Sequence, residues 1–149
     1  MGADLRYEIV AQTEGNGITY ATCKSAHSIP LDTSGGQSEE RFGPAELLAA
    51  SLAACLLKNL TRLAPKLRFT YTGAEVRVTA TRAEDPPRIS RLEYELRVRT
   101  PESDERIARL ADYLVRYGTV YNTLARSCPV SGRVVGERPK VGDGPARDG

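Results

Sequence analysis

The stretch GPAELLAASLAACLL, from Gly43 to Leu57, constrains the chain more than any other. Between Ala45 and Leu57 only Glu46 and Ser51 are polar. A helix apolar on nearly every side is expected inside a core, not lying on a surface. Pro44 and Glu46 suit its first turn, where a missing N–H is tolerated and negative charge is favoured. The alanines at 49, 50, 53 and 54 would let another backbone approach closely. The helix is expected to run to Leu63, with Pro65 as its stop. Cys55 lies within it, one turn after Ser51 and one turn before Lys58 and Asn59. A thiol in a buried helix is ordinary packing unless something ionises it and something else receives its oxidation product.

The apolar run is about 20 Å long, short of a hydrocarbon core of about 30 Å, and Lys58 and Arg62 follow it, so no membrane span is expected. The opening MGADLRYEIV has a charged start and no apolar h-region. The expectation is therefore a soluble, cytoplasmic protein. The net charge of +2, with arginines interleaved among acids, argues against a nucleic-acid partner. Three widely spaced cysteines make no disulfide framework, and without a CxxC pair or a second histidine beside His27 no metal site is expected.

Around the central helix the periodicity changes. Leu5–Gln12 alternates as a half-buried strand, Glu14-Gly15-Asn16-Gly17 reads as a turn, Ile18–Cys23 as the return strand, and Ser25–Leu31 as a third. Cys23 and His27 read as strand residues without a chemical role. Asp32–Gly43, with Glu39, Glu40 and Arg41, is a polar loop feeding the helix. Gly73–Arg82 and Ile89–Thr100 alternate as antiparallel strands with one dry and one charged face. A helix is expected from Pro101, ending at Gly118, then a short helix over Thr119–Ser127 and a last strand over Val130–Val135. Residues 137–149 are rich in Gly, Pro and charge and are expected to be disordered, leaving one domain over 1–136. Strands and helices fall in runs, which argues an α+β fold of antiparallel sheets around a buried central helix. A second copy, forming a homodimer, would supply the cover that this helix needs.

Two motifs carry a resemblance to a known family: PAELLAASLAAC at 44–55, and Cys128-Pro129-Val130 between a short helix and a strand. With the element order between them, the chain resembles the OsmC/Ohr family (osmotically inducible protein C and organic hydroperoxide resistance proteins) over roughly residues 5 to 136. The resemblance implies an intertwined homodimer and a thiol-dependent peroxidase acting on organic hydroperoxides. It implies Cys55 as the peroxidatic cysteine, Cys128 as the resolving one, and Arg41, upstream of the helix, as the activating cation. The family's glutamate directly after the proline is here Ala45, and the acid comes one residue later, at Glu46. The acid pairing with Arg41 is thus Glu46, Glu39 or Glu40, or the pair is missing. No cofactor is expected. The reductant would be an external dithiol of lipoyl or thioredoxin type. The alternatives are a non-catalytic protein of the same fold that binds an apolar ligand or partner, and a thiol redox sensor.

The chemistry has clear demands. A thiol of ordinary pKa, near 8.5, is mostly protonated at neutral pH, and a guanidinium within about 4–6 Å would favour the thiolate. Arg41 suits that role because it stays charged when desolvated. Leu48, Leu52 and Leu56 would favour organic hydroperoxides over hydrogen peroxide.

Overall fold

The alternating residues before the central helix form a small meander. The computed structural model describes residues 5–15, 17–23 and 27–139. Strands β1 (Val10–Thr13), β2 (Ile18–Cys23) and β3 (His27–Asp32) pair antiparallel in that order. Gly15 and Gly17 flank the turn with φ of 83° and 79°, left-handed values that a side chain would oppose. Asn16 of that turn, Ser25 and Ala26 of the expected third strand, and residues 140–149 of the expected tail lie outside the described residues. The first strand is shorter than its alternation suggests. Among the described residues its pairing begins at Val10, opposite Thr22, one residue before β2 ends, and 5–9 lie outside the strand.

The chain divides into two compact units, residues 1–47 and 48–149, so the boundary falls inside the central helix, α1 (Pro44–Leu67). In the second unit follow β4 (Gly73–Ala83), β5 (Arg88–Arg99), α2 (Asp104–Arg116), α3 (Thr119–Ala125) and β6 (Val130–Glu137). The sheet order is β4-β5-β6. β4 and β5 are antiparallel as expected, but β5 and β6 are parallel. The reason is the connection: α2 and α3 carry the chain back to the start of β5, and a crossover of that length delivers a parallel strand.

The core of this unit is one cluster. Leu52, Leu56, Leu60 and Leu63 of α1 meet Leu92, Leu96 and Val98 of β5 and Ile107, Leu110 and Leu114 of α2. These α1 positions recur at three- and four-residue spacing, so a single stripe of the helix is buried. The expectation of a helix buried all round is thus not met within one chain, because one sheet and one helix cover only one side. Ala49, Ala50 and Ala53 are half-buried and Ala54 is exposed. The charged face of the sheet is laced by ion pairs: Glu95 accepts from Arg97 Nε at 2.6 Å and from Arg133 Nε at 2.7 Å, and Arg97 also reaches Glu137 at 3.1 Å. On the other face of the same strand pair, Gly132 lets the ring of Tyr94 lie against the β6 backbone, where any Cβ would collide.

Two helix boundaries differ from expectation for local reasons. α1 does not stop before Pro65 but includes it and runs to Leu67. Pro65 has no N–H to donate to the Thr61 carbonyl, so the last turn forgoes one bond of the ladder. The end is instead a left-handed cap: Arg68 has φ 51°, Phe69 N–H donates to Ala64 O at 2.8 Å, and Arg68 N–H to Pro65 O at 3.2 Å. At 24 residues α1 is about 36 Å long. Length and composition alone would therefore permit a membrane span, contrary to the argument from its apolar run. What ties the helix to the protein core is its leucine stripe, packed on β5 and α2. α2 begins at Asp104, not Pro101, because Ser103 caps it by accepting from Arg106 N–H, while Thr100 and Glu102 are bound to Thr70.

Candidate active site

Cys55 sits midway along α1, half-buried and free. Four residues on, Asn59 lies on the same side of the helix, and Arg62 three beyond that. Asn59 is 6% exposed, an amide set among the buried leucines of the stripe. Its Nδ2 approaches Cys55 Sγ at 3.9 Å. Its Oδ1 accepts from Arg62 Nη2 at 2.8 Å, and the same Arg62 atom donates to Tyr117 O at 3.3 Å. Tyr117 is the C-cap of α2, where a cation on the terminal carbonyls is favoured. Gly118, next in the chain, completes the enclosure: a Cβ there would stand 3.3 Å from Asn59 Nδ2 and 3.1 Å from Leu114 O. The corner between α2 and α3 therefore closes on the amide beside the thiol. Beyond it, Arg62, Lys66, Arg109, Tyr113 and Tyr117 line a basic cavity of about 530 Å³ between α1 and α2. Lys58 is exposed.

Cys128 lies between α3 and β6, in the same unit as Cys55. Its N–H donates to Leu124 O at 3.1 Å, ending α3, and the Pro129 carbonyl accepts from Leu92 N–H at 3.0 Å, starting the pairing with β5. The thiol is free, half-buried and packed against the leucine cluster. Cys23 is also free, and stands opposite His27 across β2 and β3.

Arg41 and Glu46 belong to the first unit. The loop that carries Arg41 is closed by Asp32, whose N–H donates to Phe42 O at 2.9 Å. The Asp32 carboxylate accepts from Ser34 Oγ at 2.6 Å, Ser34 N–H at 3.0 Å and Ser38 N–H at 2.7 Å. These bonds, led by the Ser34 hydroxyl, hold its carboxyl below the usual carboxylate range, and the positive charge of Arg41 adds to the effect. Arg41 is half-buried. Glu46 is exposed in the first turn of α1, its carboxylate folded against Gly43. Among the described residues no ion pair joins Arg41 to Glu46, Glu39 or Glu40.

Two residues, one in each unit, organise their surroundings and have no role in the motif reading. Asp32 opens the Asp-Thr-Ser sequence of an Asx turn, a signal present in the chain. Asn59 has the weaker signal of an amide placed among leucines one turn after a cysteine.

The OsmC family, described as OsmC-like protein, matches residues 35–132. A Mycoplasma pneumoniae protein called hydroperoxide reductase is 25% identical over 126 residues, 81% of this chain and 88% of that protein. The crystal structure of an OsmC-like protein from Mycoplasma pneumoniae has a TM-score of 0.82 at 23% identity, covering 90% of this chain and 99% of that one. An organic hydroperoxide resistance protein OsmC from Legionella pneumophila superposes with a TM-score of 0.66 at 17% identity, covering 89% and 99%.

Proposed function

The chain belongs to the OsmC-like protein family, and on that premise we propose that it is a thiol-dependent peroxidase reducing organic hydroperoxides. The Cys55 thiolate attacks the distal peroxide oxygen. The O–O bond breaks, the alkoxide leaves and takes a proton to become an alcohol, and sulfur keeps one oxygen as sulfenic acid. The Cys128 thiol then attacks that sulfur, releases water and forms a Cys55–Cys128 disulfide. An external dithiol supplies two electrons and two protons by exchange and restores both thiols. The chain needs no cofactor for these steps. Arg41 is the cation that favours the thiolate and the charge developing on the leaving oxygen, with Glu46 as its acidic companion. The protein works as a homodimer, and its substrate class follows the apolar residues beside Cys55.

The observation that supports this reading best is the state of the two cysteines. Both are free, half-buried thiols of one unit, Cys55 in the helix that contributes Leu52 and Leu56 to the core and Cys128 packed against that core. The name of the Mycoplasma pneumoniae relative agrees with it. The unpaired state of Arg41 towards Glu46 favours a second reading, a sensor or binding protein with little turnover. One assay separates them. With cumene hydroperoxide and excess dithiol, the wild type is expected to consume many equivalents, Cys55→Ser none, and Cys128→Ser to stall as a Cys55 sulfenic acid. Peptide mapping after one equivalent of peroxide should recover a Cys55–Cys128 crosslink. Consumption of a single equivalent by the wild type would make the protein a sensor, and none at all would leave a binding protein.

A further inference from the structure

Asn59 is an expensive residue where it stands. The other positions of its stripe are Leu52, Leu56, Leu60, Leu63 and Ala64, and an amide buried among them must find partners for its donors and its acceptor. The structure gives it both. Arg62 can only donate, so the amide oxygen is turned towards the guanidinium, at 2.8 Å. The NH2 end is thereby forced to the opposite side, where Cys55 Sγ lies at 3.9 Å. Gly118, whose absent side chain keeps the corner close to Nδ2, limits the room in which the amide could turn away. Arg62 is in turn held by the Tyr117 carbonyl at the end of α2.

We propose that Asn59 is a positioning residue for Cys55, its amide locked by Arg62 so that it presents only N–H donors to the sulfur. A donor-only neighbour stabilises an anion more than a neutral thiol, since it bonds the charged form. It also fixes the sulfur lone pairs relative to α1. Among the described residues, the charged and titratable groups near this contact include Lys58 and Arg62 on α1 and, from the α2–α3 corner, Tyr117 and Tyr121, to which the proposed reaction adds Arg41 and Cys128. The inference rests on the proposed thiol chemistry only in taking Cys55 as the reacting group, and its test does not use turnover.

The readout is the pH profile of iodoacetamide alkylation of Cys55, followed by peptide mapping with Cys23 and Cys128 as internal standards. Asn59→Asp keeps the shape but places a carboxylate oxygen where the donors were. It is expected to move the midpoint of the Cys55 profile upward by about one unit, about a tenfold slower reaction on the acid side. Arg62→Met frees the amide to turn and is expected to move the midpoint in the same direction by less. Arg62→Lys retains a donor for Oδ1 and should restore the wild-type profile. If Asn59→Asp does not fold, the Arg62 pair decides, because Arg62 is exposed. An unmoved Cys55 midpoint in the folded Asn59→Asp, or an Arg62→Lys profile no nearer to wild type than that of Arg62→Met, overturns the inference. Peroxide turnover by the wild type with no shift in the variants removes the role of Asn59 alone. A shift without any turnover retains that role and removes the peroxidase reading.

Discussion

Asp32 does at one position what a metal or a disulfide does elsewhere, closing a loop of polar residues whose own contacts are few. Three donors from Ser34 and Ser38 converge on its carboxylate, and its N–H reaches Phe42 across the loop. Because these bonds hold its pKa below the ordinary value of 3.8, their contribution is fully present above that value. It is lost as pH falls through the lower folded-state value. Asp32→Ala should therefore lower the thermal midpoint by a constant amount at neutral and weakly acidic pH, and the difference from wild type should shrink below about pH 4. Thermal unfolding of both proteins across that range measures it, and Glu95, also depressed by Arg97 and Arg133, cancels in the difference. A gap that widens in acid would show that Asp32 is not the closing group. The roles given to Cys55, Cys128, Arg41 and Glu46 come from the resemblance that two motifs carry, and the structure adds that the two cysteines are free thiols of one unit. Asp32 is signalled only by its Asx-turn sequence and Asn59 only by an amide among leucines, and the longer-range partners, Phe42 for one and Tyr117 through Arg62 for the other, come from the fold.

The elements followed their periodicity wherever a face was one-sided. β5 is dry at Leu92, Tyr94, Leu96 and Val98, and α2 presents Ile107, Leu110 and Leu114, as alternation and heptad-like spacing require. Ends were less legible. Pro65 reads as a stop, yet the helix ends where Arg68 takes the left-handed turn and Phe69 folds into the core. That turn is a consequence of Phe69 burial, which no local signal at 65 announces. Parallel pairing of β6 was hidden for a similar reason: strand alternation carries no direction, and only the two intervening helices decide it. The cap makes a prediction at this scale. Arg68 is exposed and its left-handed backbone is costly for any residue with a Cβ. Arg68→Gly removes that cost while leaving intact the carbonyl that accepts from Arg106. It is expected to stabilise the chain by about 0.5–1 kcal/mol, net of glycine's greater freedom when unfolded. Urea unfolding should give a higher midpoint with an unchanged slope, and a lower midpoint would mean that the Arg68 side chain contributes more than the turn costs.

At the scale of the whole molecule, apolar surface is left over in both units, each considered by itself. In the first, Leu5, Tyr7, Ile9, Val10, Ile18, Tyr20 and Ile29 are exposed, and Tyr20 and Ile18 fall on one face of the meander. In the second, Ala49, Ala50, Ala53 and Ala54 of α1 lie outside the leucine stripe, with Ala54 open to solvent. An apolar face left exposed on a sheet or a helix is the kind of surface that associates. A second copy is the expected occupant, since one of these faces belongs to the helix that the family motif defines, and small residues there permit close approach of an identical helix. Sedimentation equilibrium at micromolar concentration is expected to give twice the 16.2 kDa chain mass. Tyr20→Glu, which places a charge on the exposed meander face without touching the leucine cluster, should weaken the dimer by about tenfold or more, because a buried aromatic anchor would be replaced by an unpaired charge. Circular dichroism of the variant separates loss of association from loss of fold. A wild type that sediments as a folded monomer overturns the dimer, and a Tyr20→Glu protein that remains dimeric at the wild-type affinity removes the meander from the interface. In that case the alanine face of α1 would have to carry the association, which Ala54→Glu then tests by the same measurement: monomer formation supports the helix as the contact, and an undiminished dimer excludes it.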